Sequence, residues 1–299
     1  MIGSAGPVQI GETYPMPLSF DQMIVHSDLE SIVRKLARAF VERYEADPRL
    51  AAVFATQQRW LLAHATMAIY FRGEMGEGVG LHSRAFLALV EAEKISARHT
   101  AHAFLKEMVN YGIAQYRSGM DKTKIRYINL SDAAVAAITF WMVLHLEILD
   151  LFDGGSRKML FKRNPLSTAF LQPELANRLL SSTNMRVPKA SFSLFTWLNN
   201  GGLVMDWLIL GSQPTDAGAE RVLTSITSIA EISERLKLSR THLGRKLRDA
   251  EELGAIGWIG RRGKSTLWLS TEFRDDYYKY QLGKLAIIEA AFNAVAWRL

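Results

Sequence analysis

The chain has 299 residues, of which 48% are hydrophobic and 22% charged, with a formal net charge of +6 and a pI near 9.5. That length accommodates one large domain or two of about 150 residues with a real core, and the positive charge favours a polyanionic partner. The absence of cysteine excludes disulfides, zinc ribbons and thiol catalysis, and makes a cytoplasmic location the expectation.

Residues 1–29 carry glycines and prolines but no basic segment leading into an apolar run, so they read as a tail and not as a signal peptide. A helix is predicted near Ala51 to Phe71. Gly73, Gly76, Gly78 and Gly80 follow it and superficially suggest a phosphate loop. Glu74 and Glu77 would repel a phosphate there, and a flexible connection is the expectation. Next come a helix from Ser83 to Lys94, a turn at Ile95-Ser96, and a helix from Arg98 to Tyr111 closed by Gly112. Ile113 to Tyr116 and Ile125 to Leu130 then read as a hairpin, followed by a helix from Asp132 to about Phe152. Within that helix, Ala133 to Leu146 falls short of the roughly 18 to 20 apolar residues a bilayer requires and runs into His145, Glu147 and Asp150; it reads as a buried helix, with no membrane partner.

Residues 154–189, with Gly154-Gly155, Asn164-Pro165, Gln172-Pro173 and Val187-Pro188, read as a linker that includes a helix around Glu174 to Leu180. A helix is predicted near Ser191 to Leu210. In Thr227 to Leu236, a Ser/Thr cap precedes Ile229, Ile232 and Leu236 on one helical face. Lys237-Leu238-Ser239 breaks that helix, and Ser239 caps a second, Arg240 to Leu253. This second helix carries Leu243, Leu247 and Ala250 at helical spacing and ends at Gly254. Ile256 to Ile259 and Thr266 to Leu269 flank the basic turn Gly260 to Lys264 as another hairpin. A helix from Glu272 to about Trp297 follows.

The two series repeat one another. Arg98, Leu105, Lys106 and Gly112 align with Arg240, Leu247, Arg248 and Gly254 at an offset of 142 residues, and Leu130-Ser131 aligns with Leu269-Ser270 at 139. The first hairpin is therefore three residues longer. Two short helices joined by a tight turn and followed by a basic hairpin describe a winged helix-turn-helix. The predicted fold class is mainly α with small β-hairpin wings: two winged helix-turn-helix domains in tandem, at 30–153 and 190–299.

The order of helix, helix-turn-helix, wing and long C-terminal helix resembles the MarR family of bacterial regulators, twice over, with the fullest likeness in Leu238 to Gly254. The resemblance implies a pair held by terminal helices, with one recognition helix in each of two successive major grooves and a wing in each flanking minor groove. Here one chain would supply a pseudo-twofold pair, as a monomeric pseudo-dimer or within a homodimer. The wings depart from the family's usual Asp-x-Arg element: the first offers Asp121-Lys122-Thr123-Lys124, and Gly260 to Lys264 has no acid.

Recognition requires base-edge donors near the helix N-terminus and phosphate-binding cations around them. Ser239, Arg240, Thr241, His242, Gly244, Arg245 and Arg248 meet that demand on the second helix, with Arg261, Arg262 and Lys264 on its wing. From Ser239 to Lys264 there are seven Lys/Arg against three Asp/Glu, which concentrates charge on the motif instead of spreading it. The corresponding residues in the first half are Arg98, His99, His102 and Lys106, with Lys122, Lys124 and Arg126 on the wing. A solvated charged face is the alternative for either set. His99 and His102 have no carboxylate-histidine cluster beside them, so a polar helix face is favoured over a metal site, and no metal or cofactor is expected.

No nucleophile elbow, phosphate loop, zinc-protease or dinucleotide motif occurs, so no enzyme is expected. Trp60, Met67, Trp141 and Trp207, together with Tyr70, Phe71, Phe140, Trp197 and Met205, are candidates either for lining a pocket for a small lipophilic or aromatic effector or for plain core packing. The function expected is a sequence-specific regulator of transcription on double-stranded DNA, cytoplasmic and nucleoid-associated. The alternative is an architectural or replication-type tandem winged-helix module that binds DNA or protein without an effector.

Overall fold

The computed structural model describes residues 17–46, 56–117, 125–196, 198, 200–214 and 218–299. In chain order the elements are α1 (Phe20–Ile24), α2 (Leu29–Ala46), α3 (Gln57–Glu74), α4 (Ser83–Ala92), α5 (Arg98–Asn110), β1 (Ala114–Tyr116), β2 (Ile128–Leu130) and α6 (Asp132–Asp153). Then follow α7 (Arg157–Arg163), α8 (Ser167–Ser181), α9 (Thr183–Arg186), α10 (Ala190–Thr196), α11 (Gly201–Gly211) and β3 (Arg221–Leu223). The series ends with α12 (Ile229–Arg235), α13 (Arg240–Glu252), β4 (Ile256–Trp258), β5 (Leu267–Ser270) and α14 (Thr271–Val295). The chain is mainly helical, with two small antiparallel sheets ordered β1-β2 and β3-β5-β4.

The internal repeat extends to backbone detail. Between α4 and α5 the chain turns through Lys94 at φ 50°, and between α12 and α13 through Lys237 at φ 51°, both in the left-handed region that residues other than glycine seldom adopt. Each turn is closed by an amide reaching back five residues, Ile95 to the Val90 carbonyl at 3.0 Å and Leu238 to that of Ser233 at 2.8 Å. Gly112 and Gly254, both at φ 70°, end α5 and α13. The strand registers correspond as well, Ala114 opposite Leu130 and Ile256 opposite Leu269. Ser131 and Ser270 then cap α6 and α14, accepting from the Ala134 and Phe273 amides. The second sheet adds β3; in the first half its place is taken by a single bridge, His82 to Tyr127.

The two halves exchange their leading helices. α2, from the first half, packs against α11 of the second, and α8, which precedes α10, packs against α3 of the first. Each then lies along the long helix of its own half, α2 on α6 and α8 on α14. Polar groups mark the crossings. Arg34 on α2 donates to the Ile209, Leu210 and Ser212 carbonyls at 3.0, 2.8 and 2.8 Å, satisfying the C-terminal end of α11. In the other direction Arg72 on α3 reaches Asn177 Oδ1 on α8 at 2.6 Å. Each half also holds the other's turn: Tyr44 donates to the Leu236 carbonyl at 2.7 Å, and Arg186 to that of Lys94 at 2.9 Å.

Several expectations require correction. Residues 154–189 are not a spacer. They form α7, α8 and α9, and α8 lies between α3 and α14 with Leu171, Leu175 and Leu179 fully buried. Pro173 stands inside this helix, which costs about 3 kcal/mol. Burying those three leucines returns roughly 1.5–3 kcal/mol each, so packing outweighs the local penalty. The expected tail contains α1, whose Met23 is buried against α14. The helix expected near Ser191 to Leu210 is two helices, because Asn200 adopts φ 57° and Gly201 lies so close to α10 that a Cβ would sit 1.7 Å from the Phe195 oxygen. The glycine segment after α3 is tightly folded, since a Cβ on Gly73 would meet Gly80 Cα at 2.3 Å. Of the helix expected from Ala51, residues 51–55 lie outside the described residues, as does the hairpin tip at 118–124.

α6 runs to 22 residues and, alone among the described helices, is long and apolar enough to cross a membrane by length and composition. It packs against α2, α7 and α14. Buried Arg157 holds this corner together, donating to Asp153 Oδ2 at 2.7 Å and to Glu289 Oε2 on α14 at 2.6 Å. Glu289 also accepts from the Leu18 amide at 3.0 Å.

Candidate functional site

Two regions bring the chemistry-bearing residues together. The first comprises the outer faces of α5 and α13. On α13, Leu243, Leu247 and Ala250 are fully buried against the helices behind it. The same helical period turns Arg240, Thr241, His242, Arg245 and Arg248 into solvent. Ser239 caps the helix, its Oγ accepting from the His242 amide at 3.4 Å. Gly244 has open space where a side chain would stand, so its backbone is accessible to a close partner.

On the adjoining hairpin Arg261 and Lys264 are exposed. Arg262 is half-buried and engaged, with Nε donating to Glu251 and Nη2 to the Gly244 carbonyl. Glu251 also accepts from Trp258 Nε1 at 2.9 Å, so one carboxylate fastens the hairpin to α13. The hairpin is thus held at a set angle to the helix beside it.

α5 follows the same plan with fewer cations. Ala101, Phe104, Leu105 and Met108 face inward, while Arg98, His99, His102 and Lys106 face out. Arg98 is within 3.6 Å of Glu91, both well exposed, an arrangement of small energetic weight. Arg126 lies over the Tyr116 ring at 3.7 Å. Lys122 and Lys124 lie outside the described residues. α5 begins at Ala97 without a side-chain cap.

The second region is a cavity of about 320 Å³ between the halves. Its walls come from α2 (Phe40, Tyr44), α3 (Trp60), α6 (Phe140, Trp141), α11 (Met205, Asp206) and α14 (Tyr280, Gln281, Lys284). Of the nine candidate lining residues, Trp60, Phe140, Trp141 and Met205 line it, and Tyr70 and Phe71 do not. Met67 is packed into the core, and Trp207 lies under Arg235, 4.4 Å from its ring, so neither contributes. Trp197 lies outside the described residues.

Beside the cavity are charges that the sequence patterns did not single out. Lys284 is 7% exposed; burial lowers its pKa to about 8, with Asp206 pulling the other way. Its Nζ lies 5.1 Å from the centre of the Phe40 ring and 6.0 Å from that of Trp141. Asp206 accepts from the Tyr277 hydroxyl at 2.5 Å, yet burial pushes its pKa up to about 7. His64 is held to about 3 by burial and by the nearby Lys284 charge, with Gln172 Nε2 3.0 Å from its Nδ1. His145, depressed by the same causes, uses Nδ1 on the Trp141 carbonyl at 2.7 Å. The signal in the sequence is that each of these residues falls among apolar neighbours at a core-facing position of its helix.

Comparison with protein-family models, with curated proteins and with solved structures gives no match to this chain. The outer faces offer donors and exposed cations without a nucleophile or paired catalytic carboxylates among the described residues. The cavity offers aromatic surface and one buried ammonium.

Proposed function

We propose that the chain is a DNA-binding regulator of transcription, in which two winged helix-turn-helix units of MarR-like order form a pseudo-twofold pair within one polypeptide. The observation that carries this reading is the repeated unit itself: a capped or stopped helix with a buried apolar side and outward cations, followed by a pair of antiparallel strands, in two copies whose turns and registers correspond. Exposed cations at these positions suit phosphates, and Arg240, Thr241 and Arg245 near the start of α13 suit base edges. The exchange of leading helices supports a paired arrangement, because each half covers the other's apolar surface as subunits of a dimer do. The cavity at the pairing surface suits an effector, and on this reading the protein acts at the cytoplasmic nucleoid.

Selection of duplexes from a random pool, followed by binding measurements at fixed salt, tests the proposal. A regulator prefers its selected site over random duplex by roughly a thousandfold or more. On that site, protection should fall in two successive major grooves about 34 to 36 Å apart. Binding without sequence preference would instead support an architectural module, and absence of duplex binding would remove the reading.

A further inference from the structure

We infer that the duplex site this chain reads is not palindromic and is bound in one orientation only, with α13 on a half-site fixed by its arginines and α5 on a half-site of different sequence. Such a site presupposes that the chain binds DNA as proposed above, and narrows the class of duplex it accepts. A regulator with exact twofold symmetry presents the same side chains to both half-sites, and its operator is palindromic in consequence. Here the backbone repeats while the exposed side chains do not.

At the offset of 142 residues Arg240 corresponds to Arg98 and Arg248 to Lys106, so cations are kept at both ends of the outer face. Between them the correspondence fails. Thr241 is matched by His99, Gly244 by His102 and Arg245 by Ala103. Of these, Thr241, Arg245, His99, His102 and Ala103 are exposed. A guanidinium makes two parallel hydrogen bonds to the O6 and N7 edge of guanine, whereas the methyl of an alanine makes none and suits the methyl group of thymine. An imidazole, with its two nitrogens on different edges of the ring, does not reproduce the guanidinium fork. The Arg245 position therefore favours a guanine that the Ala103 position has no means to select.

The contours differ as well. Gly244 has open space where a side chain would stand, while its counterpart His102 carries an exposed imidazole at the same point of α5. A duplex can approach the backbone of α13 more closely than that of α5. The hairpins are also set differently. Glu251 fastens the second one through Arg262 and Trp258, and its counterpart in the first half is Val109. Tyr116, the counterpart of Trp258, lies beneath Arg126 instead. Turning the chain round on its site therefore brings the wrong side chains, the wrong depth and the wrong hairpin to each half at once.

Selection of duplexes with the unmodified full chain supplies the site, and its consensus is compared with its own reverse complement; the two are expected to differ. Because the chain has no cysteine, Glu234→Cys or Ala92→Cys gives a unique attachment point for an iron–EDTA group, at equivalent exposed places on α12 and α4. Each labelled protein is expected to cut only one half of the selected duplex, and the two are expected to cut opposite halves. A duplex carrying the α13 half twice should be cut in both halves by either label. One carrying the α5 half twice should bind at least about tenfold more weakly than the selected site. Arg245→Ala should relax base preference in the α13 half alone. A palindromic consensus, a label that cuts both halves of the selected duplex equally, two labels that cut the same half, an α5-doubled duplex bound as tightly as the selected one, or a change in both halves on Arg245→Ala would each overturn the inference and leave the regulator reading standing. Binding without sequence preference would remove the regulator reading, and the inference with it.

Discussion

Arg262 donates from Nε to both carboxylate oxygens of Glu251, at 2.7 and 3.0 Å, and from Nη2 to the Gly244 carbonyl at 2.8 Å. Of the three cations on the second hairpin turn, it is thus the one committed to the protein. Neutralising Arg261 and Lys264 should flatten the slope of log K against log salt by about 0.9 for each phosphate no longer neutralised, with stability unchanged. Arg262→Ala should cost about 1 kcal/mol of stability and weaken binding to all sequences alike. If Arg262→Ala resembles Arg261→Ala in both measurements, the bracing role is wrong.

The outer face of α13 exposes Arg240, Arg245 and Arg248, whereas that of α5 exposes Arg98 and Lys106. Arg245→Ala should therefore reduce duplex affinity more than Lys106→Ala at the same salt concentration. Equal losses, or a larger one for Lys106→Ala, would contradict the asymmetry.

Buried neutral histidines make the fold acid-sensitive. An unfolded histidine takes up a proton near 6.5, while in the folded chain His64 is held to about 3 and His145 is also depressed. The stability these two contribute is full above pH 6.5 and is lost as the pH falls below it. Asp206 has the opposite sign: raised to about 7, it keeps a proton that the unfolded chain has released, and so offsets one of the two histidines between pH 5 and 6. His145→Leu should make the dependence of unfolding free energy on pH in that window shallower by about one proton, or about 1.4 kcal/mol per pH unit. Urea titrations of both proteins at pH 5 and 6 measure this, and identical slopes would show that His145 takes up its proton in the folded state.

Arg34→Met should lower stability by roughly 2 kcal/mol, since hydrogen bonds from a charged group to several C-terminal carbonyls of α11 disappear together. Arg34→Lys should not restore it, because a single ammonium lacks the fork that reaches three carbonyls. The expected sign is a lower urea midpoint with an unchanged m-value. A neutral Arg34→Met would mean that water serves those carbonyls equally well.

Local chemistry was legible in the sequence wherever a short-range rule governs the outcome. Ser239 and Ser270 cap helices, Gly112 and Gly254 end them, and the offsets of 142 and 139 residues reappear in the strand registers. What could not be read depends on packing between distant segments. Gln172-Pro173 signals a break by local rules, and only the surfaces of α3 and α14 turn that stretch into a central helix. Asp206 and Lys284 lie 78 positions apart in an apolar context, so nothing local indicates that they face one cavity.

The exchange of α2 and α8 takes place within one polypeptide, so the meeting of the halves is intramolecular and does not weaken on dilution. A symmetric dimer must use one sequence at both of its equivalent positions, and any change appears twice. Here each position is encoded separately, so a residue that suits one side need not suit the other. His145 and Lys284 are such a pair: the same place in the repeat, neutral and sealed on one side, charged and beside a cavity on the other. Joining the halves thus lets the chain hold two different chemistries at what would otherwise be a single duplicated position.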